Sequence, residues 1–177
     1  MESFGFAMGP ARVNDLGGTD VGTKTRIELF KRETRPDPYF VIADALTAMN
    51  RLGQKTMAGF YRYRPGERQA FADDEVIELI AKLAADRGIA RRSMETSEIV
   101  ERCLLQLINV GAQVLDAGIA MRAADIDVVW VHGYGFPRHL GGPMFHADSL
   151  GLKHVLGRIE AHAPEPVAKR VGLPKYG

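Results

Sequence analysis

The sequence contains little of what several common classes of protein require. Its single cysteine, Cys103, excludes an internal disulfide and is typical of a reducing compartment. No apolar run is long enough to span a membrane, and the first residues lack the three-part form of a secretory signal peptide. We therefore expect an intracellular protein without a membrane span, cytoplasmic if its source is bacterial.

Net charge is also nearly absent. Lys and Arg total 23 against 22 Asp and Glu, so the net charge of +1 provides no basic field for nucleic acid or an anionic membrane. The segment 54–64 interleaves basic residues with three aromatic rings, a pattern that also occurs on nucleic-acid surfaces. An extended segment that docks its rings against helices is the preferred interpretation, because the rest of the chain has no basic stripe. We predict no nucleic-acid partner.

Motifs that carry chemistry are missing as well. His132, His139 and His146 are each seven positions apart, a spacing that does not favour a zinc site. No Gly-x-Gly-x-x-Gly turn follows a predicted strand, and no serine or cysteine lies beside an evident base. We predict no catalytic, cofactor-binding or metal-binding residue in this chain.

The sequence does contain strong helical periodicity. Apolar residues recur at intervals of three to four in several segments, each bounded by glycine, proline or a capping residue. Thr19, Asp73 or Asp74, and Thr96 or Ser97 are the predicted N-caps. The fold class is therefore predicted to be all-α. The predicted helices cover Thr19–Glu33, Tyr39–Leu52, residues 74–87, Thr96–Gly118, Ala123–His132 and Ser149–Ala161.

A short pattern occurs twice. It consists of Gly-Phe, Gly-Pro, Asp and Gly in that order, with the same spacing from proline to aspartate and from aspartate to glycine in both copies. Its members are Gly5-Phe6, Gly9-Pro10, Asp15 and Gly18, then Gly135-Phe136, Gly142-Pro143, Asp148 and Gly151. We interpret each copy as a helix-to-helix corner in which proline begins a helix and the aspartate accepts N–H bonds at the next helix start. A corner without further function is the simpler interpretation of each residue alone.

The repeat predicts a duplicated domain and not a solenoid. We place the first domain at residues 1–68 and the second at 69–177, with a linker around residues 65–72. The second Gly-Phe pair follows a long predicted helix, whereas the first follows only four residues. The first copy is therefore expected to lack its opening helix.

The repeated segments resemble a known family. Phe4–Pro10 and Asp15–Asp20 resemble the C-terminal helical domain of 3-hydroxyacyl-CoA dehydrogenases, and residues 53–63 resemble the segment that closes it. Residues 125–144 resemble a second, degenerate copy. Tandem copies are characteristic of multifunctional fatty-acid β-oxidation enzymes, which join an enoyl-CoA hydratase domain to the dehydrogenase.

This resemblance implies NAD-dependent oxidation of a 3-hydroxyacyl-CoA in a longer parent enzyme. In the family, the dinucleotide-binding domain precedes this region and carries the catalytic His–Glu pair, and an active-site Asn lies in the helix that this chain lacks. The resemblance therefore transfers no catalytic residue, and Asn109 in the second copy receives no catalytic role. NAD is expected in the parent enzyme and not on this chain.

The turn Met8-Gly9-Pro10 is the predicted substrate-proximal segment. Methionine is a flexible apolar filler, and Gly-Pro leaves backbone accessible to a docked acyl group. The expected partners are the acyl-CoA substrate and the dinucleotide-binding domain of the parent. The alternative is a non-catalytic helical dimerisation or interaction module that forms a homo-oligomer.

Overall fold

A computed structural model describes residues 1–30, 40–67 and 69–162. Within those ranges the secondary structure is helical, with isolated bridges such as Arg62–Phe71 and no β-strand, which confirms the all-α prediction. No helix in the described ranges is long and apolar enough to cross a membrane. The helices are α1 Pro10–Gly17, α2 Thr19–Phe30, α3 Val41–Ala48, α4 Asp74–Ala85, α5 Thr96–Asp116, α6 Ala123–Gly133, α7 Pro143–Leu150 and α8 Leu152–His162.

The helices form two compact units. One unit is Met8–Ser93 and contains α1 to α4, and the other combines Met1–Ala7 with Met94–Gly177 and contains α5 to α8. The N-terminal segment therefore packs with helices that follow it by about ninety residues in the sequence. The predicted domain boundary between residues 68 and 69 was drawn from the sequence repeat and not from packing, and it stays a prediction. Arg68 lies outside the described residues.

The first unit is built around α3. This helix packs against α2 and α4, and its Leu46 is fully buried, with Ala43 beside it in the core. At the start of α4, the Asp73 carboxylate accepts a 3.2 Å hydrogen bond from the Glu75 amide, which confirms the predicted cap. Val76 follows at once and is buried, so the cap fixes where the apolar face of α4 begins.

The second unit is built around α5. Both α7 and α8 pack against this helix. A side chain at Gly111 would place its Cβ 2.5 Å from Met144 Sδ, so glycine allows α7 to approach α5 closely. The core consists of Leu105, Ile108, Ala147 and Val155, with Ile159 packed against them.

Several predicted boundaries were wrong, for local reasons. The predicted helix Ser149–Ala161 is the end of α7 and all of α8, which Gly151 separates with its positive φ of 88°. The prediction of a helix to Leu52 overran α3, because Asn50 adopts a left-handed conformation. Residues 31–39, where the first predicted helix ends and the second begins, lie outside the described residues.

Two predicted caps were also wrong. Thr19 is the first residue of α2, and its hydroxyl donates to the Arg51 carbonyl at 2.9 Å. The N-cap of α5 is Glu95, without a side-chain capping bond, so neither Thr96 nor Ser97 has the predicted role. The sequence pattern predicts that the Thr19 hydroxyl bonds the local backbone, but it bonds the backbone of Arg51, 32 residues away.

Candidate functional site

The Gly9-Pro10 turn begins α1. Gly9 is the N-cap, with extended backbone (φ −76°, ψ 163°), and Pro10 occupies the first helical turn, where its missing N–H has no cost. The helix ends at Gly17. Gly18, with a φ of 99°, then redirects the chain so that α2 begins at the next residue.

The carboxylate of Asp15 is the centre of this site. Asp15 lies on α1 and is only 1% exposed. Its Oδ1 accepts a 2.8 Å bond from the Phe60 amide, and its Oδ2 accepts 2.9 Å bonds from the Tyr61 amide and the Tyr63 hydroxyl. A buried carboxylate needs such donors to offset the loss of water. Asp15 therefore fastens the segment 60–63 to α1.

The Tyr63 hydroxyl is the third donor to the Asp15 carboxylate. Burial, and after it the hydrogen bond to Asp15, raises the pKa of the Tyr63 phenol. The phenol therefore remains protonated and remains a donor at physiological pH. Gly59, next to Phe60, is buried, and a Cβ there would overlap the Asp15 carboxylate. Only glycine lets the chain approach Asp15 this closely.

Arg51 and Asp73 form a second set of contacts to the same segment. Arg51 donates from Nε to the Gly59 carbonyl at 3.1 Å and pairs with Asp73 and Glu75 through its other nitrogens. Arg62 Nε lies 2.7 Å from the Asp73 carboxylate. Burial alone raises the pKa of Asp73, but hydrogen bonds from Arg51 and Arg62 outweigh it and lower that pKa. The pairing of Arg62 and the burial of Tyr63 agree with the interpretation of 54–64 as a docked segment.

Lys55 ties the neighbouring 3-10 turn Gln54–Thr56 to the start of α2. Its ammonium is hydrogen-bonded to Asp20, and Lys24 bonds the other carboxylate oxygen at 3.0 Å. The bond from Lys55, and next the bond from Lys24, lowers the pKa of Asp20 to about 2. The carboxylate also lies in the first turn of α2, where the helix dipole favours negative charge.

The structure brings the three predicted substrate-proximal residues together at the N-terminal end of α1. Met8 and Gly9 are half-buried, and Pro10 is exposed. A Cβ added at Gly9 would meet no atom within 4 Å, and its φ is open to any residue. Among the described residues, and apart from its chain neighbours, no atom lies where a side chain at position 9 would begin.

The second corner has the same backbone plan but a different carboxylate. α1 and α7 both have eight residues, both begin with proline, and both end at a glycine of similar conformation: Gly18 (φ 99°, ψ 127°) and Gly151 (φ 88°, ψ 118°). Asp148 is exposed, however, and Asp15 bonds to Phe60 and Tyr61. The prediction that these aspartates cap the next helix was therefore wrong.

Asp127 on α6 caps α7 and was missed. It is buried, and its carboxylate accepts hydrogen bonds from the Met144 amide at 2.7 Å and the Phe145 amide at 3.1 Å. The available signal was a lone carboxylate inside the apolar run Ile126–Val131. An isolated acid in an apolar helix needs a partner, which is a reason to look for donors elsewhere.

The histidines lie in separate surroundings. His132 lies beside Arg138, His146 faces the ring of Phe4, and His162 contacts Glu101. In the described part of the chain, no three His, Cys, Asp or Glu side chains are grouped as metal ligands.

Comparisons with known proteins agree with this geometry. Residues 1–63 match the family model described as 3-hydroxyacyl-CoA dehydrogenase, C-terminal domain. The peroxisomal bifunctional enzyme of Danio rerio is 42% identical over an alignment of 172 positions, which covers 90% of this chain and 24% of that protein. The chain matches the C-terminal region of the 3-hydroxyacyl-CoA dehydrogenases of multifunctional β-oxidation enzymes. The family resemblance predicted from the sequence is thus confirmed.

Further relatives extend the match to bacteria and to a solved structure. The fatty acid oxidation complex subunit alpha of Vibrio cholerae is 36% identical over 163 residues, covering 90% of this chain and 22% of that protein. The dehydrogenase part of multifunctional enzyme 1 from C. elegans has a TM-score of 0.57 at 28% identity, covering 80% of this chain and 31% of that chain. The chain therefore spans about a quarter of the length of these curated relatives.

The first prediction concerns the buried carboxylate. We expect Asp15→Asn to lower the free energy of unfolding by about 2–3 kcal/mol, because the amide turns an NH₂ group toward N–H and O–H donors. Asp148→Asn is the matched control, since Asp148 is the repeat counterpart and is exposed; its effect should stay within about 0.5 kcal/mol. Urea denaturation measures both variants, and equal effects would contradict the structural role given to Asp15.

The second prediction concerns acid stability. The folded pKa of Asp20 lies below its ordinary value of 3.8, at about 2. Its stabilising contribution is therefore complete above pH 3.8 and is lost as the pH falls toward 2. Lys55→Met should make the melting temperature fall less steeply across this window, and Lys24→Met should do so to a smaller degree. Identical slopes in the wild type and in Lys55→Met would contradict this assignment.

Proposed function

We propose that this chain supplies the helical, substrate-side part of a 3-hydroxyacyl-CoA dehydrogenase within a multifunctional fatty-acid β-oxidation enzyme. The observation that carries this proposal is the match of residues 1–63 to the C-terminal domain of that dehydrogenase. The relatives that match most of the chain are named as bifunctional or multifunctional enzymes, which supports the wider context. The reaction would be oxidation of a 3-hydroxyacyl-CoA to the 3-ketoacyl-CoA.

NAD, the family's hydride acceptor, would be held outside this chain. A dinucleotide places its pyrophosphate at a glycine-rich turn between a strand and a helix. The described residues contain no strand followed by such a turn, so they do not fit a bound dinucleotide. By this proposal hydride transfer would take place outside them, and this chain would contribute acyl-group contacts and a surface against the dinucleotide-binding domain.

Met8, Gly9 and Pro10 are the residues that we propose to contact the acyl part of the substrate. The empty space around the Gly9 Cβ position supports this assignment, because nothing in the described packing accounts for a glycine there. The half-buried Met8 beside it offers an apolar surface that can adapt to an acyl chain. Asp15 on the same helix would hold this turn in place through its bonds to Phe60 and Tyr61.

We also propose that residues 69–177 are a degenerate second copy of the domain in residues 1–68. The equal lengths of α1 and α7 and the matching glycine conformations at their ends support a common origin. Its role would be structural. The predicted homo-oligomer stays a prediction, as does the compartment, for which the relatives in animals and plants are named peroxisomal or glyoxysomal.

The third prediction tests where the chemistry resides. With acetoacetyl-CoA and NADH, the purified 177-residue chain should give no change in NADH absorbance, because the proposal places the cofactor site outside it. The full polypeptide encoded by the gene that contains this sequence should oxidise NADH under the same conditions. Turnover by the isolated chain, or none by the full polypeptide, would contradict the proposed function.

The fourth prediction tests the turn. In the full polypeptide, Gly9→Val should raise KM for acetoacetyl-CoA about tenfold, equivalent to ~1.4 kcal/mol of binding, because its side chain would occupy space meant for substrate. Valine is a poorer N-cap than glycine and should lower the melting temperature by a few degrees, but the fold should persist, since an added Cβ meets no described atom outside its chain neighbours. Gly17→Ala is the control, because it too adds a Cβ in open space on α1 but lies at the other end of that helix. An unchanged KM for Gly9→Val would remove the turn from the substrate site.

A further inference from the structure

An aromatic pocket in the second unit receives the N-terminal segment of the chain. We define the pocket by Trp130, Phe136 and His146, and its two occupants are Phe4 and Phe6. Phe6 meets Phe136 edge-to-face at 5.5 Å between ring centroids, and Trp130 at 6.4 Å. Phe4 meets Phe136 at 5.9 Å and His146 at 5.9 Å, again near the edge-to-face geometry. Aromatic pairs at these separations attract each other beyond simple burial.

The centre of the pocket is fully buried, so the two phenylalanines pack into a closed site and not onto an exposed apolar surface. Phe136, at its centre, is the largest fully buried side chain and is 1% exposed. Burial lowers the pKa of His146, so this ring faces Phe4 in its neutral form near neutral pH. Both phenylalanines of the segment therefore contact aromatic side chains of α6, α7 and the loop between them.

The segment has a backbone that fits this pocket. A single 3-10 turn, Glu2–Phe4, is closed by the Gly5 amide bonding to the Glu2 carbonyl at 3.0 Å. Gly5 has a φ of 120°, and a Cβ there would lie 2.8 Å from Pro137 Cγ. A residue with a side chain at position 5 would be strained and would press against Pro137. The recognised feature is thus Phe-Gly-Phe with glycine required in the middle.

We propose that Phe4 and Phe6 are positioning residues that hold the chain where it enters the Met8-Gly9-Pro10 turn, with Trp130, Phe136 and His146 as their receptor. Only Ala7 separates Phe6 from Met8, and two consecutive trans peptide units span at most about 7 Å, so the anchored ring restricts where Met8 can lie. This inference rests on the proposed role of the turn at the acyl group. It gives the second unit, which carries no predicted catalytic residue, a part in substrate binding.

The effect of losing Phe6 on KM distinguishes a positioning role from a purely stabilising one. If Phe6 contributed only to the core, its loss would lower the melting temperature and leave KM unchanged in the protein that remains folded. If Phe6 positions the turn, its loss frees the segment 1–7 and weakens substrate binding even where the helices stay intact.

The first experiment uses Trp130, which is the only tryptophan in the sequence and lies in the pocket. In the isolated 177-residue chain, Phe6→Ala should shift tryptophan emission to longer wavelength and increase acrylamide quenching about twofold or more, with unchanged helical circular dichroism. Phe145→Ala is the matched control, because Phe145 is a 60% exposed phenylalanine of the same unit; its emission should equal that of wild type. Equal emission in Phe6→Ala and wild type would overturn the anchor. Phe6→Leu, which keeps apolar volume, replaces Phe6→Ala if the latter does not fold.

The second experiment measures kinetics in the full polypeptide. Phe6→Ala should raise KM for acetoacetyl-CoA about tenfold with a much smaller change in kcat, Phe6→Leu should restore part of the loss, and Phe145→Ala should match wild type. If Gly9→Val raises KM and Phe6→Ala does not, the positioning role is overturned while the proposed function stands. If neither variant changes KM, the turn is not at the substrate and the positioning role fails with it. The fluorescence of Trp130 decides separately whether the segment is anchored.

Discussion

The buried carboxylate of Asp15 is the interaction on which the first unit depends. A carboxyl group that is 1% exposed requires donors in fixed places, and two backbone amides and a phenol provide them. Those donors come from residues 60, 61 and 63, which regular secondary structure does not hold in place. The carboxylate therefore adds three fixed bonds to a segment that Arg51 and Asp73 also hold. It also fixes the orientation of α1 and, with it, the turn that precedes α1.

In the second unit a different buried aspartate, Asp127, accepts backbone amides. There, Asp127 on α6 accepts the amides of Met144 and Phe145, so the carboxylate satisfies the first turn of α7 and not a distant segment. What the two corners share is a glycine, an eight-residue helix that begins with proline, and a closing glycine with positive φ, although the starting glycines differ in φ (−76° at Gly9 and 111° at Gly142). That plan is enough to turn the chain from one helix to the next. The buried aspartate beside each corner then determines which backbone amides are bound there: those of Phe60 and Tyr61 by Asp15, and those of Met144 and Phe145 by Asp127.

Sequence periodicity predicted the helices well and their partners poorly. The apolar repeats of α4 and α5 identified those helices within a few residues, because an amphipathic face is a local property of the chain. Thr19 and Asp148 were assigned capping roles by the same local rules and do not have them. Their actual surroundings depend on which segment arrives from elsewhere, and spacing along one helix carries no information about that. The resemblance identified residues 53–63 as the segment that closes the domain, but it did not identify Asp15 as the carboxylate that binds this segment.

The two Gly-Phe pairs show most clearly how sequence pattern and packing differ. By pattern, Gly5-Phe6 belongs to the first copy, yet its ring packs edge-to-face on Phe136, its counterpart in the second copy. A boundary drawn from sequence similarity and a boundary drawn from packing must therefore disagree at residues 1–7. Phe6 is only two residues before Met8, so by the proposal above a change that loosens the aromatic pocket would also loosen the segment that leads into the Gly9-Pro10 turn.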